Sequence, residues 1–334
     1  MAEQPQVRIG FIGCGGIAHW HVRRLSQVPE AKIVALCDPS LASIERMVSR
    51  YPELADLPRF SDYRDLLKAG LAMDGVQLHS PHTVHFEQAM ASLDAGYHVL
   101  TEKPMVCKVE HAHALIKKIA ETGKVFAISY QRHFEKPFQF IKQKIDGGEM
   151  GEVQFVAVLQ GQNWLEGTRG QWRQDPALSG GGQLNDSGSH LLDILLWVTG
   201  LAADEVMAYA ANFDTKVDIN TAATIRCTNG AQGTVSVMGN CPVWWEDITI
   251  VGSKAAAFLR QGKLFWAAFG DRAPREVLAE EMPEESDPDR NWVEAIAYGK
   301  PVGAPAICGL RTIELTEAAW RSAETGKPAP VSRS

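Results

Sequence analysis

The stretch Gly13-Cys14-Gly15-Gly16-Ile17-Ala18 constrains the fold of this chain more than any other feature. It reads G-x-G-x-x-A, follows an apolar run at 7–12 that is typical of a buried strand, and opens a segment with helical periodicity. In that context the glycines allow the backbone to approach a pyrophosphate, and the helix N-terminus offers unpaired N–H groups to the phosphates. The sequence therefore predicts a dinucleotide site whose cofactor contacts are Gly13, Gly15, Gly16, Ile17 and Ala18.

An acidic residue at the end of the second apolar run supports this prediction. Asp38 follows Val34-Ala35-Leu36-Cys37 and stands 25 positions after Gly13, near the ~20-residue spacing of the carboxylate that binds the ribose hydroxyls. A carboxylate there repels the 2′-phosphate of NADP, and the next residues, Pro39 and Ser40, supply no arginine to receive it. We therefore expect NAD, with NADP disfavoured.

The first 130 residues alternate short apolar runs with helical stretches. The strand candidates are 7–12, 32–37, 74–79, 97–101 and 124–130, and the helix-like segments between them are 17–28, 40–50, 84–95 and 108–122. This alternation is the sequence form of βαβ units, so it predicts a doubly wound parallel sheet of the Rossmann type.

The pattern changes after about residue 133. A helix-like segment at 138–145 is followed by period-two runs at 153–159, 204–213, 219–227, 231–239, 246–251, 255–260 and 263–269, with Asn229-Gly230 as a hairpin signal. These runs predict an antiparallel sheet. A helix beginning near Asp186 interrupts it, and helices at 287–299 and 309–325 close the chain. We expect a Rossmann domain at 1–130 and a substrate-binding and oligomerisation domain at 131–334, and the alternative that the final helices pack back on the first domain stays open.

Charge and composition exclude several classes of protein. The net charge of −7 argues against a nucleic-acid partner, and no apolar segment approaches the ~18 residues of a membrane span. The start of the chain lacks the pattern of a signal peptide, and the six cysteines show no C-x-x-C pair, which favours reduced thiols. We expect a soluble cytoplasmic protein.

Two further stretches carry candidate chemistry. Glu102-Lys103-Pro104 follows a late strand, at the sheet edge where ligands bind in open α/β folds, although a charged surface turn would show the same residues. Asp186 and His190 are four positions apart and would share a face if both lay on one helix. The alternative is an N-cap aspartate and a core histidine.

Other polar and aromatic clusters are weaker signals. His79, His82 and His85 are evenly spaced, but Pro81 breaks a common helix, and neither they nor His111 and His113 have cysteine or carboxylate ligands nearby, so we expect no metal. Trp164, Trp172 and Arg173 could line a sugar pocket or belong to a core or interface.

Taken together, four stretches resemble the Gfo/Idh/MocA oxidoreductases, a family that includes glucose–fructose oxidoreductase and inositol dehydrogenases. They are G-C-G-G-I-A, Ser80-Pro81-His82-Thr83-Val84-His85, Glu102-Lys103-Pro104, and Gly180-Gly181-Gly182 with Asp186-Ser187-Gly188-Ser189-His190. The resemblance covers nearly the whole chain, including its ending at 318–328. It implies a second α/β domain built on a large, mostly antiparallel sheet, and assembly as a homodimer or homotetramer.

The resemblance also implies roles for individual residues. Ser80, Pro81, His85, Glu102 and Lys103 are expected at the cofactor. Lys103, Asp186 and His190 are expected at the substrate, where Lys103 serves as acid and base, His190 as its partner or alternative, and Asp186 as the orienting group. Further substrate candidates are Tyr130, Arg132, Trp164, Trp172 and Arg173.

Three functions remain open at this point. The first is a dehydrogenase or reductase acting on a sugar, cyclitol or related polyhydroxy compound. The second is a glycosidase that uses NAD transiently, and the third is a non-catalytic NAD-binding sensor. The presence of Lys103, Asp186 and His190 together argues against the sensor, because a sensor needs no proton-transfer group.

Overall fold

A computed structural model describes residues 5–332, which form two compact units. The first unit contains the chain up to Val106, Glu110–Gln131 and Ser286–Ile307. The second contains Cys107–Val109, Arg132–Glu285 and the chain from Cys308 onward. The first unit therefore takes in a late segment as well as the N-terminal part of the chain.

The regular elements are numbered in chain order. The strands are β1 (Val7–Ile12), β2 (Ala31–Cys37), β3 (Arg59–Phe60), β4 (Gly75–Leu78), β5 (His98–Thr101), β6 (Phe126–Ile128), β7 (Val153–Asn163), β8 (Ala203–Ala211), β9 (Asn220–Cys227), β10 (Gln232–Met238), β11 (Asn240–Gly252), β12 (Ala255–Arg260), β13 (Lys263–Ala268), β14 (Arg275–Glu276) and β15 (Ala329–Pro330). The α-helices are α1 (Ala18–Leu25), α2 (Leu41–Arg50), α3 (Tyr63–Lys68), α4 (His85–Asp94), α5 (Val109–Thr122), α6 (Lys136–Asp146), α7 (Trp164–Gly167), α8 (Pro176–Ser179), α9 (Gly188–Thr199), α10 (Pro288–Tyr298) and α11 (Ala306–Thr325). Short 3₁₀ helices lie at Pro52–Leu54, His82–Val84, Gln131–Phe134, Trp172–Gln174 and Ala279–Glu281.

The first unit is built on a six-stranded sheet in the order β3-β2-β1-β4-β5-β6, with every neighbouring pair parallel. This confirms the doubly wound α/β fold. The order reverses at β1, so the edge formed by the carboxyl ends of β1 and β4 is where a ligand is expected. The sequence patterns did not predict β3, because two residues are too few to show a period.

Helix α10 belongs to the first unit because its apolar face completes that unit's core. Trp292 and Val293 are buried in the same cluster as Ile9, Phe11 and other β1 residues. The fit is close, since a Cβ added at Gly75 would stand 2.8 Å from the Trp292 ring. A glycine in β4 therefore makes room for the indole.

The second unit is built on a nine-stranded sheet in the order β14-β13-β12-β11-β7-β10-β9-β8-β15. Buried and more exposed residues alternate along β10 and β12, as the period-two pattern predicts. Asn229-Gly230 forms the expected turn between β9 and β10, with Gly230 at φ +87°. The sheet is mostly antiparallel, which confirms the expectation. The exception is β10, which pairs with β7 in parallel, because the chain returns through α9, β8 and β9 before it forms β10.

Helix α9 is apolar almost all round and is buried in the core of the second unit. Leu191, Ile194 and Leu195 pack in one cluster with Val235 of β10 and Val156 of β7. Within residues 5–332, no helix combines the length and the apolar character that crossing a bilayer requires.

Candidate active site

The turn between β1 and α1 has the shape that a pyrophosphate site needs. Gly13 has φ +97°, and a Cβ there would stand 2.7 Å from the backbone carbon of His79, so no other residue fits this position without displacing the backbone. A Cβ at Gly15 or Gly16 would meet no atom within 4 Å, so the side of the turn away from the sheet is open. Ile17 caps α1, and Ala18 is its first residue.

Asp38 is fixed beside this turn by backbone amides. Its Oδ2 accepts a hydrogen bond from Cys14 N at 2.8 Å, and its Oδ1 accepts one from Ser40 N at 2.8 Å. Each carboxylate oxygen can accept a second hydrogen bond, so the ribose hydroxyls of a dinucleotide can be bound there as well. The open glycine turn, the N-terminus of α1 and the anchored carboxylate together fit NAD.

His85 joins two turns at the same edge of the sheet. Its ring nitrogens lie 2.9 Å from the carbonyl oxygens of Ser80 and Pro104, and the ring is buried. Burial lowers the pKa of this imidazole, while the hydrogen bonds to the two carbonyl groups raise it. His85 therefore braces the Ser80-Pro81 turn against the turn that follows β5, and the direct cofactor contact expected of it stays a prediction.

Glu102 lies beneath Lys103 in the first unit. Its carboxylate is buried, and Oε2 accepts a hydrogen bond from the backbone N of Lys103 at 3.2 Å. Burial alone raises the pKa of this carboxyl, but the hydrogen bond and charge of His21 outweigh it and hold the pKa well below its usual range. The Lys103–Pro104 peptide is cis, and Lys103 is only partly exposed.

His21 is the most informative residue that the sequence patterns missed. Its Nε2 lies 3.0 Å from Glu102 Oε1, and its Nδ1 lies 2.7 Å from Asp289 Oδ1. Its ring also stacks on that of His79, with centroids 4.2 Å apart. One signal could have found it: His21 falls on the buried stripe of α1 formed by Ala18, Val22 and Leu25. A histidine on that stripe, directly after the glycine turn, indicates a buried polar partner nearby.

In the second unit, Asp186 is not on the helix that carries His190. Helix α9 begins at Gly188 with Ser187 in the N-cap position, so both the shared helix face and the N-cap alternative for Asp186 are wrong. The reason is a turn in the preceding segment, where Gly188 N donates to Gln183 O at 2.8 Å. His190 lies on the first turn of α9 and is buried.

The side chain of Asp186 gathers three of the predicted residues. Its Oδ2 accepts hydrogen bonds from Trp164 Nε1 at 2.9 Å and from Arg173 Nε at 3.0 Å. The Arg173 guanidinium in turn lies 4.5 Å from the centroid of the Trp172 ring. Trp164, Trp172, Arg173 and Asp186 therefore form one polar and aromatic cluster on the second unit.

The remaining substrate candidates have interior positions. Arg132 forms an ion pair with Glu246, with Nη2 2.5 Å from Oε1, and both side chains are largely buried. Tyr130 is fully buried. Substrate contact by either residue stays a prediction.

A second missed residue, Asp218, anchors the glycine segment before Asp186. Its carboxylate accepts hydrogen bonds from Gly182 N at 3.0 Å, Leu184 N at 2.8 Å and Trp320 Nε1 at 3.0 Å. A Cβ at Gly182 would stand 1.9 Å from Asp218 O, so the glycine is required for this approach. The three consecutive glycines signal a close approach, but nothing local in the sequence identifies the partner.

Within the described part of the chain, the histidines flagged for metal do not assemble a ligand group. The group that does form consists of His133, Asp193 and Cys308, with ligand atoms within 4.8 Å of one another. Here His133 Nε2 is 2.7 Å from Asp193 Oδ2, and burial raises the pKa of the Cys308 thiol to about 12. All three side chains are buried.

Comparison with known proteins agrees with this architecture. Residues 7–130 match the model of an oxidoreductase family with an NAD-binding Rossmann fold, and residues 138–258 match the GFO/IDH/MocA C-terminal domain. The fold and these matches define an NAD-binding oxidoreductase. The chain belongs to the Gfo/Idh/MocA family.

The named relatives match nearly the full length of the chain. It is 26% identical to the D-glucoside 3-dehydrogenase of Escherichia coli (strain K12), over 98% of this chain and 97% of that one. It is 25% identical to the inositol 2-dehydrogenase of Rhizobium meliloti (strain 1021), over 95% and 96%. Levoglucosan dehydrogenase in complex with NADH has the same fold, with a TM-score of 0.88 at 19% identity over 98% of this chain and 100% of that one.

The anchored carboxylate of Asp38 predicts the cofactor preference. We expect cofactor-free protein to bind NAD more tightly than NADP, because the carboxylate repels a 2′-phosphate. Asp38→Asn removes the charge and keeps an oxygen acceptor for one of the two backbone amides, so it should narrow the ratio of the two dissociation constants by about tenfold, the effect of ~1.4 kcal/mol. Calorimetric titration of both cofactors measures this ratio.

The control is Asp56→Asn, which makes the same change in net charge at an exposed position of the first unit. It should leave the ratio unchanged. Tighter binding of NADP than of NAD by the unmodified protein would contradict the assignment of Asp38.

Proposed function

We propose that this protein is an NAD-dependent dehydrogenase or reductase that acts on a CH–OH group of a sugar, a cyclitol or a related polyhydroxy compound. The observation that carries the proposal is the position of Lys103, which follows β5 in the NAD-binding unit and whose backbone is held by the buried Glu102. The relatives named above, which act by their names on a glucoside, an inositol and levoglucosan, support the substrate class.

In the proposed reaction, the bound cofactor takes part in hydride transfer and the side chains in proton transfer. When bound, NAD accepts the hydride that leaves the carbinol carbon. The hydroxyl proton must leave at the same stage, so a base is needed within hydrogen-bond reach of that oxygen. We assign this role to Lys103, with His190 as its partner or as the alternative base. In the reductive direction the same group returns the proton.

The Asp186 cluster supplies features that suit a polyhydroxy ligand. A carboxylate accepts hydrogen bonds from hydroxyl groups, and the guanidinium of Arg173 pairs with the carboxylate of Asp186. The indole of Trp172 offers an apolar face of the kind that packs against the C–H surface of a sugar ring. We therefore assign Asp186 to orienting the substrate or the base.

We also propose that the protein works in the cytoplasm. The support is that all six cysteines are free thiols, in keeping with a reducing compartment.

Replacing the proposed base tests the function directly. Lys103→Met keeps most of the side-chain length and removes the amine, so folding and NAD affinity should survive. Turnover should fall by at least about 10²-fold, the lower end of the contribution of a general acid or base. The measurement is reduction of NAD on a panel of sugars and inositols. Lys117→Met, at an exposed position of α5, is the control and should retain full turnover.

Two results would change the assignment. If Lys103→Met kept nearly full kcat while His190→Ala lost it, His190 would be the base. If a substrate were consumed by cleavage of a glycosidic bond without net formation of NADH, the protein would be a glycosidase that uses NAD transiently.

The exposed aromatic residues of the second unit predict self-association. Tyr209 is 68% exposed and Trp244 is 52% exposed, and both lie on strands of the nine-stranded sheet. Exposed aromatic side chains on a sheet favour burial against a partner, and a second copy of the chain is the simplest one. We propose a homodimer or homotetramer that covers this sheet.

Light scattering at micromolar concentration should give two or four times the mass of one chain. Trp244→Glu should lower the mass, because it places a charge in the apolar contact. Leu41→Glu, at an exposed position of the first unit, should not. A monomer at this concentration would contradict the proposed assembly.

A further inference from the structure

The buried side chain of His21 lies between two carboxylates of the first unit. Its ring has no exposed surface, and Asp289 on the other side of it is also fully buried. Its Nδ1 is 2.7 Å from Asp289 Oδ1, and its Nε2 is 3.0 Å from Glu102 Oε1. Gln77 Nε2 donates a further hydrogen bond to Asp289 Oδ1 at 2.9 Å. No water is needed to join these groups, since each contact is direct.

This geometry fixes the protonation state of the ring. An ionised carboxylate only accepts hydrogen bonds, and a neutral imidazole carries one N–H, so it could satisfy only one of the two. The imidazolium donates through both nitrogens and satisfies both. Removing the charge would leave a buried carboxylate without its counter-ion, which is strongly unfavourable.

The other charged and titratable groups around the ring support the same state. Arg24 Nη1 lies 3.5 Å from Asp289 Oδ2, so Asp289 has a second cation nearby. His79 stacks on His21, and burial holds its pKa well below the ordinary value, so the neighbouring ring is neutral. Besides His21, Glu102 interacts with the charge of Lys103 and with the side chain of Ser129. His21 is therefore the cation that balances Glu102 from inside.

We propose that His21 is a positioning residue for the reaction. As a buried imidazolium, it holds the Glu102 carboxylate and, through that carboxylate, the backbone of Lys103. It also neutralises the charge of Glu102, so that Lys103 can give up its proton. The inference rests on the proposed function, in which Lys103 is the base. Helix α1, which carries His21, would then position Lys103 as well as bind the pyrophosphate. The hydrogen bond from Lys103 N to Glu102 Oε2 holds the backbone of Lys103 in place. The positive charge of His21 offsets the negative charge of Glu102.

The pKa of His21 agrees with a charged ring. Burial by itself lowers it, but the two carboxylates outweigh burial and raise it to about 9. A pKa raised on folding stabilises the fold below the unfolded value of about 6.5, and this stabilisation is lost as the pH rises through 9. His21 should thus be charged throughout the neutral range.

The charge on His21 can be measured without substrate or cofactor. Nitrogen-15 NMR of the full chain labelled at histidine should show one imidazole that keeps both ring N–H groups up to about pH 8. Its signals should vanish in His21→Gln and persist in His113→Gln, a partly buried control on α5. A midpoint near 6.5 for this ring would overturn the proposal.

The effect on Lys103 can also be measured in cofactor-free protein. Only the neutral amine reacts with an acylating reagent, so the pH dependence of labelling at Lys103, followed by mass spectrometry, reports its charge. His21→Gln leaves Glu102 uncompensated and should move the half-maximal pH up by about one unit, while Glu102→Gln should move it down. The double variant His21→Gln/Glu102→Gln should return close to the unmodified protein, because both charges are gone.

Opposite shifts that cancel in the double variant are the signature of charge balance, since a merely structural defect would not reverse with the second substitution. Labelling profiles that coincide in all four proteins would overturn the proposal. Turnover separates this inference from the proposed function. If Lys103→Met stays active while the labelling shifts occur, the assignment of Lys103 as base fails and the charge coupling of His21 stands.

Discussion

The close approach of Gly13 to the backbone of His79 determines how the first unit presents its binding edge. The carboxyl ends of parallel strands lie on the same side of the sheet, so the turns after β1, β2, β4 and β5 meet there. Only a residue without Cβ at position 13 lets the turn after β1 lie against the end of β4. Once that contact is made, the amide of Cys14 reaches Asp38, and the open side of the turn faces away from the sheet. The geometry that fits NAD thus follows from one steric condition.

A second condition is that each buried charge at this edge needs a partner. Glu102 and Asp289 lie far apart in sequence, yet both bind His21, one on each ring nitrogen. Asp289 is in the first turn of α10, which also carries Trp292 into the core. An ionic contact as well as apolar packing therefore joins α10 to the N-terminal part of the first unit. His21 and the partly exposed Arg24 together balance the two carboxylates, which makes such a cluster tolerable in a low-dielectric interior.

Much of this arrangement is predictable from sequence, and the exceptions have physical causes. The glycine turn, the end of β2 and most strands follow from local periodicity and spacing, and the hairpin at Asn229-Gly230 follows from turn chemistry. The partners of His21 and Asp218 could not be predicted, because the contacts join residues distant in sequence and no local pattern specifies them. The parallel pairing of β10 with β7 could not be predicted for the same reason. The alternation of apolar and polar residues indicates a strand, but it does not specify which neighbouring strand it pairs with.

We propose that this chain transfers hydride between a carbinol carbon and NAD. The most direct test uses the best substrate of the panel with deuterium in place of hydrogen at the reacting carbon, and follows both products by mass spectrometry and NMR. We predict one deuterium in each molecule of NADH formed, an equal amount of carbonyl product, and a glycosidic bond that stays intact. Product formed without deuterium in the reduced cofactor, or with the label retained in a hydrolysed sugar, would contradict hydride transfer to NAD as the net reaction.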